Sequence, residues 1–500
     1  MAGGQPIRDV VVAGAGLAGW SAAAALKRKL PALSVTLVAG TPPVDALADR
    51  MAPTLPSIVG FHGDLGIGEA DSVLRAGSGF RLGTLFEGWS GAGPGYVHAY
   101  APHGRAFPIG SFHQHWLRLA AEGAASAFDA YSVAATLARA GRFVHPQGEK
   151  GSPLGDFEYG LTIDPARYAQ MMRAFAQHVG VVARPGDISG VELDGESGGI
   201  ASLRLTDGSL LSGDLFVDCT GPAAKLRSAL DSRFEPWEAW LPCDRVLLGQ
   251  SAAPAELPSL DRAIALEAGW RWQAASPSRT WHGIVYLSSE IGDEEAARIL
   301  ESAGASLVDS APIKLRQGRR SQPWLRNCVA IGDAAVSVEP LEWTNLHLAH
   351  SAIDRLIAMM PDRDFAPVEL WDYNRQCAAE ADRVRDFLAL HYRTAQVDGA
   401  LWRAAAAAEP PASLARTLAL FADRGRLPFF EEETFSRDSW LAVLIGQGLI
   451  PRRSEPLIDS VPPAAAQQAM RQLRENIAGI VAALPTQTAY LRNLMRHSTR

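Results

Sequence analysis

The sequence predicts an α/β fold in which a dinucleotide-binding βαβ module carries a second, β-rich region and is followed by a helical C-terminal region. Three observations predict it. An apolar strand, Asp9–Ala13, runs directly into a Gly14-x-Gly16-x-x-Gly19 turn; two further apolar stretches, ending at 217 and 331, stop at turns that carry an aspartate; and beyond residue 345 the apolar spacing becomes helical.

Each element follows from a local pattern. Asp9–Ala13 reads as a strand, 14–19 as a glycine turn, 20–30 as a helix and Ser34–Ala39 as a second strand, so the first forty residues form one βαβ unit. Between 190 and 218, Leu193, Leu203, Leu205, Leu210 and Leu211 lie between turn signals such as Asp207-Gly208, and a short apolar strand at 215–217 closes the stretch. A third strand, 328–331, enters Gly332-Asp333, and after a proline loop a helix starts near Thr344. These separated strands are expected to share one sheet. Residues 240–287, rich in Trp and strand formers, are expected to make a second sheet on which a substrate sits. Farther on, the alanine run 404–408 before Pro410-Pro411 marks a helix end, and 464–483 after Pro462-Pro463 reads as an amphipathic surface helix. The expected division is therefore a nucleotide module over 1–345, with the substrate sheet inserted at about 85–190 and 235–315, and a mostly helical region over 346–500.

Composition narrows the function classes. A chain of 500 residues, 47% hydrophobic, holds one large core or two to three ordinary ones. Its net charge of -7, with both signs mixed throughout, offers no basic field to nucleic acid or to an anionic membrane, and neither is expected as a partner. Residues 1–8 lack an export signal, and no run of about twenty uninterrupted apolar residues follows, so a cytoplasmic protein is expected. The four cysteines, Cys219, Cys243, Cys328 and Cys377, show no CxxC spacing and read as small buried hydrophobes. His113-Gln-His115 has a metal-like spacing, but no carboxylate or cysteine stands at matching distance; these histidines, with His98, His103 and His347, are expected to be hydrogen-bonded structural groups and no metal is expected.

The glycine turn carries the chemistry. Gly14 permits the tight turn, Gly16 lets the backbone approach a pyrophosphate and Gly19 lets helix pack on strand. The N–H groups of Leu17 and Ala18, at the positive end of the helix dipole, then face phosphate oxygens. An acid at the end of the second strand ordinarily takes the ribose hydroxyls. Here that strand ends Val38-Ala39-Gly40, which leaves either weakened dinucleotide affinity or a contact from Asp45 or Asp49 nearby. Gly332-Asp333-Ala334-Ala335 follows a strand and precedes a helix, so Asp333 is expected to accept from a ribitol hydroxyl while the following N–H groups face a phosphate. Asp218-Cys219-Thr220-Gly221 ends another strand in a similar way. Three such turns in this order point to a flavin monooxygenase-like FAD domain. No second GxGxxG unit for NADPH follows, so reduced FAD is expected from a separate flavin reductase.

Several blocks carry a family likeness: Gly14 to Trp20 as GAGLAGW, Trp240-Leu-Pro-Cys-Asp-Arg245, Gly269-Trp270-Arg271-Trp272, Gly318-Arg-Arg320 with Trp324, and Gly332-Asp-Ala-Ala335 leading to Glu339-Pro-Leu-Glu342-Trp343-Thr344-Asn345. On these residues the chain resembles the flavin-dependent tryptophan halogenases over nearly its whole length. The resemblance implies that reduced FAD and O2 give a flavin hydroperoxide, that halide attack on it yields hypohalous acid, and that a lysine and a glutamate beside an electron-rich ring guide the oxidant. It assigns Glu342 as that glutamate and Thr344 and Asn345 to the flavin and halide end. The Trp270/Trp272 pair corresponds to a motif associated with suppressing monooxygenation; two same-face strand aromatics packing a core would look the same.

Four positions depart from the family pattern. Arg81, in Phe80-Arg81-Leu82-Gly83, replaces the lysine; its guanidinium stays protonated and is a poor nucleophile, so it is expected either to hydrogen-bond an oxidant or substrate carboxylate, or to pair with an acid such as Glu69 or Glu87. Ala274-Ala275 replaces Ile-Pro after the double Trp, Trp343 replaces a serine, and Met51-Ala52-Pro53-Thr54 stands where the family has GExT. The expectation is an FAD-dependent oxidoreductase that halogenates or oxidises an aromatic substrate, indole or phenol, free or peptide-borne, with Glu342 and Arg81 as candidate catalytic residues. The alternative is a non-halogenating or inactive relative that binds a peptide or protein partner.

Overall fold

The computed structural model describes residues 4–148 and 152–498, so residues 1–3 of the N-terminal segment lie outside it. The chain divides into two compact units that interleave along the sequence: Met1–Ser78, Ile163–Glu238 and Ile313–Asp382 form one, and Gly79–Thr162, Ala239–Pro312 and Arg383–Arg500 the other.

The first unit is built on a sheet in the order Trp324–Leu325, Cys328–Ala330, Leu215–Asp218, Asp9–Ala13, Ser34–Ala39, Val182–Pro185. All neighbours are parallel except the edge pair Trp324–Leu325 with Cys328–Ala330. The three expected nucleotide-type strands thus lie side by side, with Ala13 opposite both Val38 and Asp218, and Asp218 opposite Ala330. Parallel strands are covered on both faces, which is why these segments are continuous apolar runs rather than alternating ones. A three-stranded antiparallel sheet, Ile188–Leu193, Ile200–Leu205 and Leu210–Ser212, packs Ile200, Leu203 and Leu205 against Val11, Val38 and Phe216 in a common core. The helix Leu17–Lys29 is buried from Leu17 to Leu26, and its run of alanines lets the helices Pro165–His178 and Thr344–Ala358 approach it closely.

The second unit is organised by a sheet in the order Ser306–Leu307, Arg245–Ala252, Arg279–Tyr286, Gly269–Ala275, Asp261–Leu266, Gly83–Glu87, Tyr96–Ala99. The Trp- and β-rich stretch makes its four central strands. Trp270 and Trp272 project from one face of Gly269–Ala275 and are buried with Trp89, Trp402 and Tyr392; the Trp270 indole N–H donates to the Tyr392 hydroxyl at 3.1 Å, which satisfies it within the core. Among the described residues no helix is long and apolar enough to cross a membrane.

Candidate functional site

In the first unit, strand Asp9–Ala13 ends at Gly14, whose φ of +112° lies in the region that favours glycine. A Cβ on Gly14 would overlap the Cys219 carbonyl, and one on Gly19 the Gly14 carbonyl, so both glycines are required for helix Leu17–Lys29 to pack over the strand ends. Gly16 is the N-cap of that helix, no side chain of its own caps it, and its first turn holds no acid. Open N–H groups at a helix start are the expected place for a phosphate.

An anion of the chain itself meets them. Asp49 Oδ1 accepts the Ala18 N–H at 3.0 Å, and the Leu17 N–H also points at this carboxylate, which fills the space a Cβ on Gly16 would need. Loss of water around the group pushes the Asp49 carboxyl up to about 6, although the Ala18 and Leu17 N–H groups pull the other way. Asp49 belongs to a one-turn helix, Leu47–Asp49, whose Ala48 N–H donates to Asp333 Oδ2 at 2.8 Å. Asp333 sits in the one-turn helix Gly332–Ala334 after strand Cys328–Ala330, and burial, with Asp49 and Asp45 adding their charges, raises its carboxyl well above the usual range. The Cβ that Gly332 lacks would lie 3.2 Å from that of Ala18. Gly14, Gly16, Leu17, Ala18, Gly19, Gly332 and Asp333 are therefore brought together. Of the two acids expected near a ribose, Asp49 lies on the helix N-terminus, and Asp333 holds its segment.

The Asp218 turn serves the framework. Its Oδ1 accepts from the Thr220 N–H and hydroxyl, and its Oδ2 from the N–H groups of Leu226 and Arg227, so the carboxylate is spent on anchoring the helix Lys225–Leu230.

The segment after Val338 holds two consecutive non-glycine residues of positive φ. Glu339 and Gln317, both buried, exchange two hydrogen bonds: Gln317 Nε2 to Glu339 Oε2 at 3.1 Å, and Glu339 N–H to Gln317 Oε1 at 3.0 Å. Glu342 and Trp343 then follow with φ of 61° and 62°, two consecutive non-glycine residues in the left-handed region, and both are 2% exposed. Such backbone persists only where the surroundings enforce it. It delivers Thr344 and Asn345 to the N-terminus of helix Thr344–Ala358. Thr344 Oγ1 and Asn345 Oδ1 are buried and find no hydrogen-bond partner among the described residues, while Asn345 Nδ2 donates to the Val338 carbonyl at 2.8 Å. Buried polar atoms are almost always paired, so two orphans at the start of a helix that packs on Leu47–Asp49 and Gly332–Ala334 are what a polar ligand would complete. The cradle fits a dinucleotide in kind, with its phosphate end held by Asp49.

Arg81 belongs to the second unit, on strand Gly79–Arg81. Its Nε donates to Asp261 Oδ2 at 2.5 Å, Nη2 to Thr84 Oγ1 at 3.0 Å and Nη1 to the Tyr100 hydroxyl, and the residue is 1% exposed. The acid paired with it is Asp261, not the expected Glu69 or Glu87; Glu87 instead takes Arg262. Asp261, Tyr100 and Thr84 carried no sequence signal, because each is an ordinary strand or loop residue until the sheet brings it to Arg81. His113 and His115 bond the carbonyls of Gly425 and Ile109, and no cluster able to hold a metal occurs among the described residues.

The chain as a whole is similar to known proteins. The family model described as tryptophan halogenase matches residues 9–463. Tryptophan 6-halogenase SttH of Streptomyces toxytricini is 30% identical over 96% of this chain and 97% of its own length. Two solved structures superpose closely. BrvH, a flavin-dependent halogenase from Brevundimonas sp. BAL3, has a TM-score of 0.92 at 36% identity, covering 98% of this chain and 99% of its own. Xcc4156, a flavin-dependent halogenase from Xanthomonas campestris, has a TM-score of 0.91 at 35% identity with the same coverage.

Proposed function

Because the chain belongs to the tryptophan halogenase family, we propose that it is an FAD-dependent oxidoreductase that halogenates or oxidises an electron-rich aromatic ring, an indole or a phenol, free or carried on a peptide. FAD is the cofactor. It arrives reduced from a separate flavin reductase and, with O2, supplies the oxidising equivalent. The residues that would hold it are Gly14, Gly16 and Gly19, the Leu17 and Ala18 N–H groups, Gly332 and Asp333, with Thr344 and Asn345 offering it the polar atoms that lack a protein partner.

The observation that carries the reading is Glu342, a buried carboxyl-bearing residue held in left-handed backbone next to those orphaned atoms. A carboxylate fixed in this way orients a neutral oxidant through a hydrogen bond and takes the proton that the ring carbon loses when aromaticity is restored. Arg81 has a different part. Its guanidinium is spent on Asp261, Tyr100 and Thr84, and the ion pair keeps it protonated against the opposing effect of burial. It neither attacks an oxidant nor forms a covalent adduct, and acts by holding its strand in place.

The test is a reaction with FAD, an NADH-driven flavin reductase, bromide or chloride, and a panel of indoles and phenols, read by mass spectrometry. Halogenated product that disappears in Glu342→Gln is the expected result. Oxygenated product independent of halide would assign the oxidation branch, and turnover unchanged in Glu342→Gln would remove the glutamate from the chemistry.

A further inference from the structure

We propose that Asp49 is an internal anion standing at the pyrophosphate place of the flavin cradle, and that FAD binds only by displacing it together with the segment Leu47–Asp49. The inference rests on the reading of the chain as FAD-dependent.

Competition for one volume and one set of donors carries it. A glycine at the second position of the turn exists so that phosphate oxygens can approach the backbone and meet the helix N–H groups. At Gly16 that space is filled by the Asp49 carboxylate, which already takes the Ala18 N–H at 3.0 Å and faces that of Leu17. The two anions cannot share it. The segment is not a loosely placed loop: Leu47 and Ala48 are each 1% exposed, and the Ala48 N–H is tied to Asp333 at 2.8 Å. The carboxylate expected to meet the ribitol is thereby engaged with the same segment, so one movement frees both ends of the cradle.

Charge adds to the competition. After burial itself, the charges of Asp49 and Asp45 both raise the Asp333 carboxyl, and Asp49 likewise adds to the rise of the Cys219 thiol. On the packed helices, Leu17–Lys29 presents no acid in its first turn, and His347 of Thr344–Ala358 is bonded to Ser57 and Glu380. A pyrophosphate entering beside Asp45 and Asp333 is therefore favoured by the departure of Asp49. The apparent affinity for FAD is the intrinsic affinity multiplied by the fraction of molecules in which the segment is out.

The equilibrium has a predicted pH sense. The enclosed Asp49 holds its proton up to about 6 and, once in water, returns to its ordinary value of 3.8. The closed form is thus favoured as pH falls, and FAD affinity rises through this window and levels above it. Linkage gives about tenfold weaker binding at pH 5 than at pH 7.5 from this group.

The experiment titrates the full-length apoprotein and its Asp49→Ala and Asp49→Asn variants with oxidised FAD, by flavin fluorescence and calorimetry at both pH values. Hydrogen exchange over residues 44–54 is followed in parallel, as is the melting temperature with inorganic pyrophosphate. Asp49→Ala is expected to bind FAD at least tenfold more tightly than wild type and to be stabilised by pyrophosphate where wild type is not. Asp49→Asn, which keeps the shape and mimics the protonated carboxyl that favours closure, is expected to bind FAD about tenfold more weakly than wild type at pH 7.5 and to lose the pH dependence that belongs to Asp49; it also decides the matter should Asp49→Ala not fold. Protection of 44–54 is expected to fall when wild type binds FAD. Equal affinities with unchanged protection would overturn the displacement while leaving FAD dependence intact. Failure of all three proteins to bind FAD would overturn both.

Discussion

Arg81 Nε and Asp261 Oδ2 lie 2.5 Å apart, with both side chains at most 2% exposed, so Arg81 is one half of a buried ion pair. Removing one partner of such a pair leaves an uncompensated charge in the interior. Arg81→Met is expected to lower the stability of the second unit by about 3–5 kcal/mol in urea unfolding, and the double variant Arg81→Met with Asp261→Leu to recover most of it. A loss below about 1 kcal/mol accompanied by loss of turnover would put Arg81 at the reaction rather than in the framework.

Glu342 gives a prediction on two axes. Glu342→Gln keeps the shape of the side chain and removes the proton acceptor, so product formation is expected to fall by about 100-fold or more with FAD affinity unchanged. Glu342→Gly releases a left-handed φ of 61° and is expected to raise stability by about 1 kcal/mol while abolishing product. A Gly variant that is both less stable and fully active would contradict the account of a strained functional position.

Gly16 and Asp49 are expected to be coupled. Because a Cβ at position 16 would overlap the Asp49 carboxylate, Gly16→Ala should destabilise the wild-type chain more than it does the Asp49→Ala chain. In a double-mutant cycle of melting temperatures or urea midpoints the two should fail to add, and strict additivity would place the two groups out of contact.

Glu380 sets an acid limit on stability. Burial raises its carboxyl, but the hydrogen bond from His347 and the Arg355 guanidinium at 2.5 Å outweigh it and hold the group at about 2, against an ordinary 4.5. A folded-state value below the unfolded one means that the stabilisation is present in full above about 4.5 and is lost as pH falls toward 2. Glu380→Gln is expected to flatten that limb of a stability-against-pH curve. An identical limb in the variant would assign the acid sensitivity to another carboxylate.

Much of the nucleotide module was legible because its signals are local. Strand Asp9–Ala13, the turn at 14–19 and strand Ser34–Ala39 are found within a residue or so of their expected places, the helix starts three residues earlier than 20–30, and the helix expected near Thr344 begins there. A glycine needed for a positive φ, and a switch from period two to period 3.6, are written in neighbouring residues. The blocks that carry the family likeness are of the same kind, short and contiguous.

The sequence by itself determined the parallel nucleotide sheet, the Trp-bearing second sheet, the family and the set of glycines and acids in the cradle. Only the tertiary structure decided what those acids do. Asp49 meets Ala18 across 31 positions, Asp333 meets Ala48 across 285, and Arg81 meets Asp261 across 180, and none of these distances is encoded in a local propensity. Nor does any residue type announce left-handed backbone at Glu342 and Trp343, since glutamate and tryptophan both disfavour it. The physical reason is common to all four: the partner of a charge, and the strain a backbone can hold, are fixed by which elements pack together, and burial then makes the choice costly to reverse.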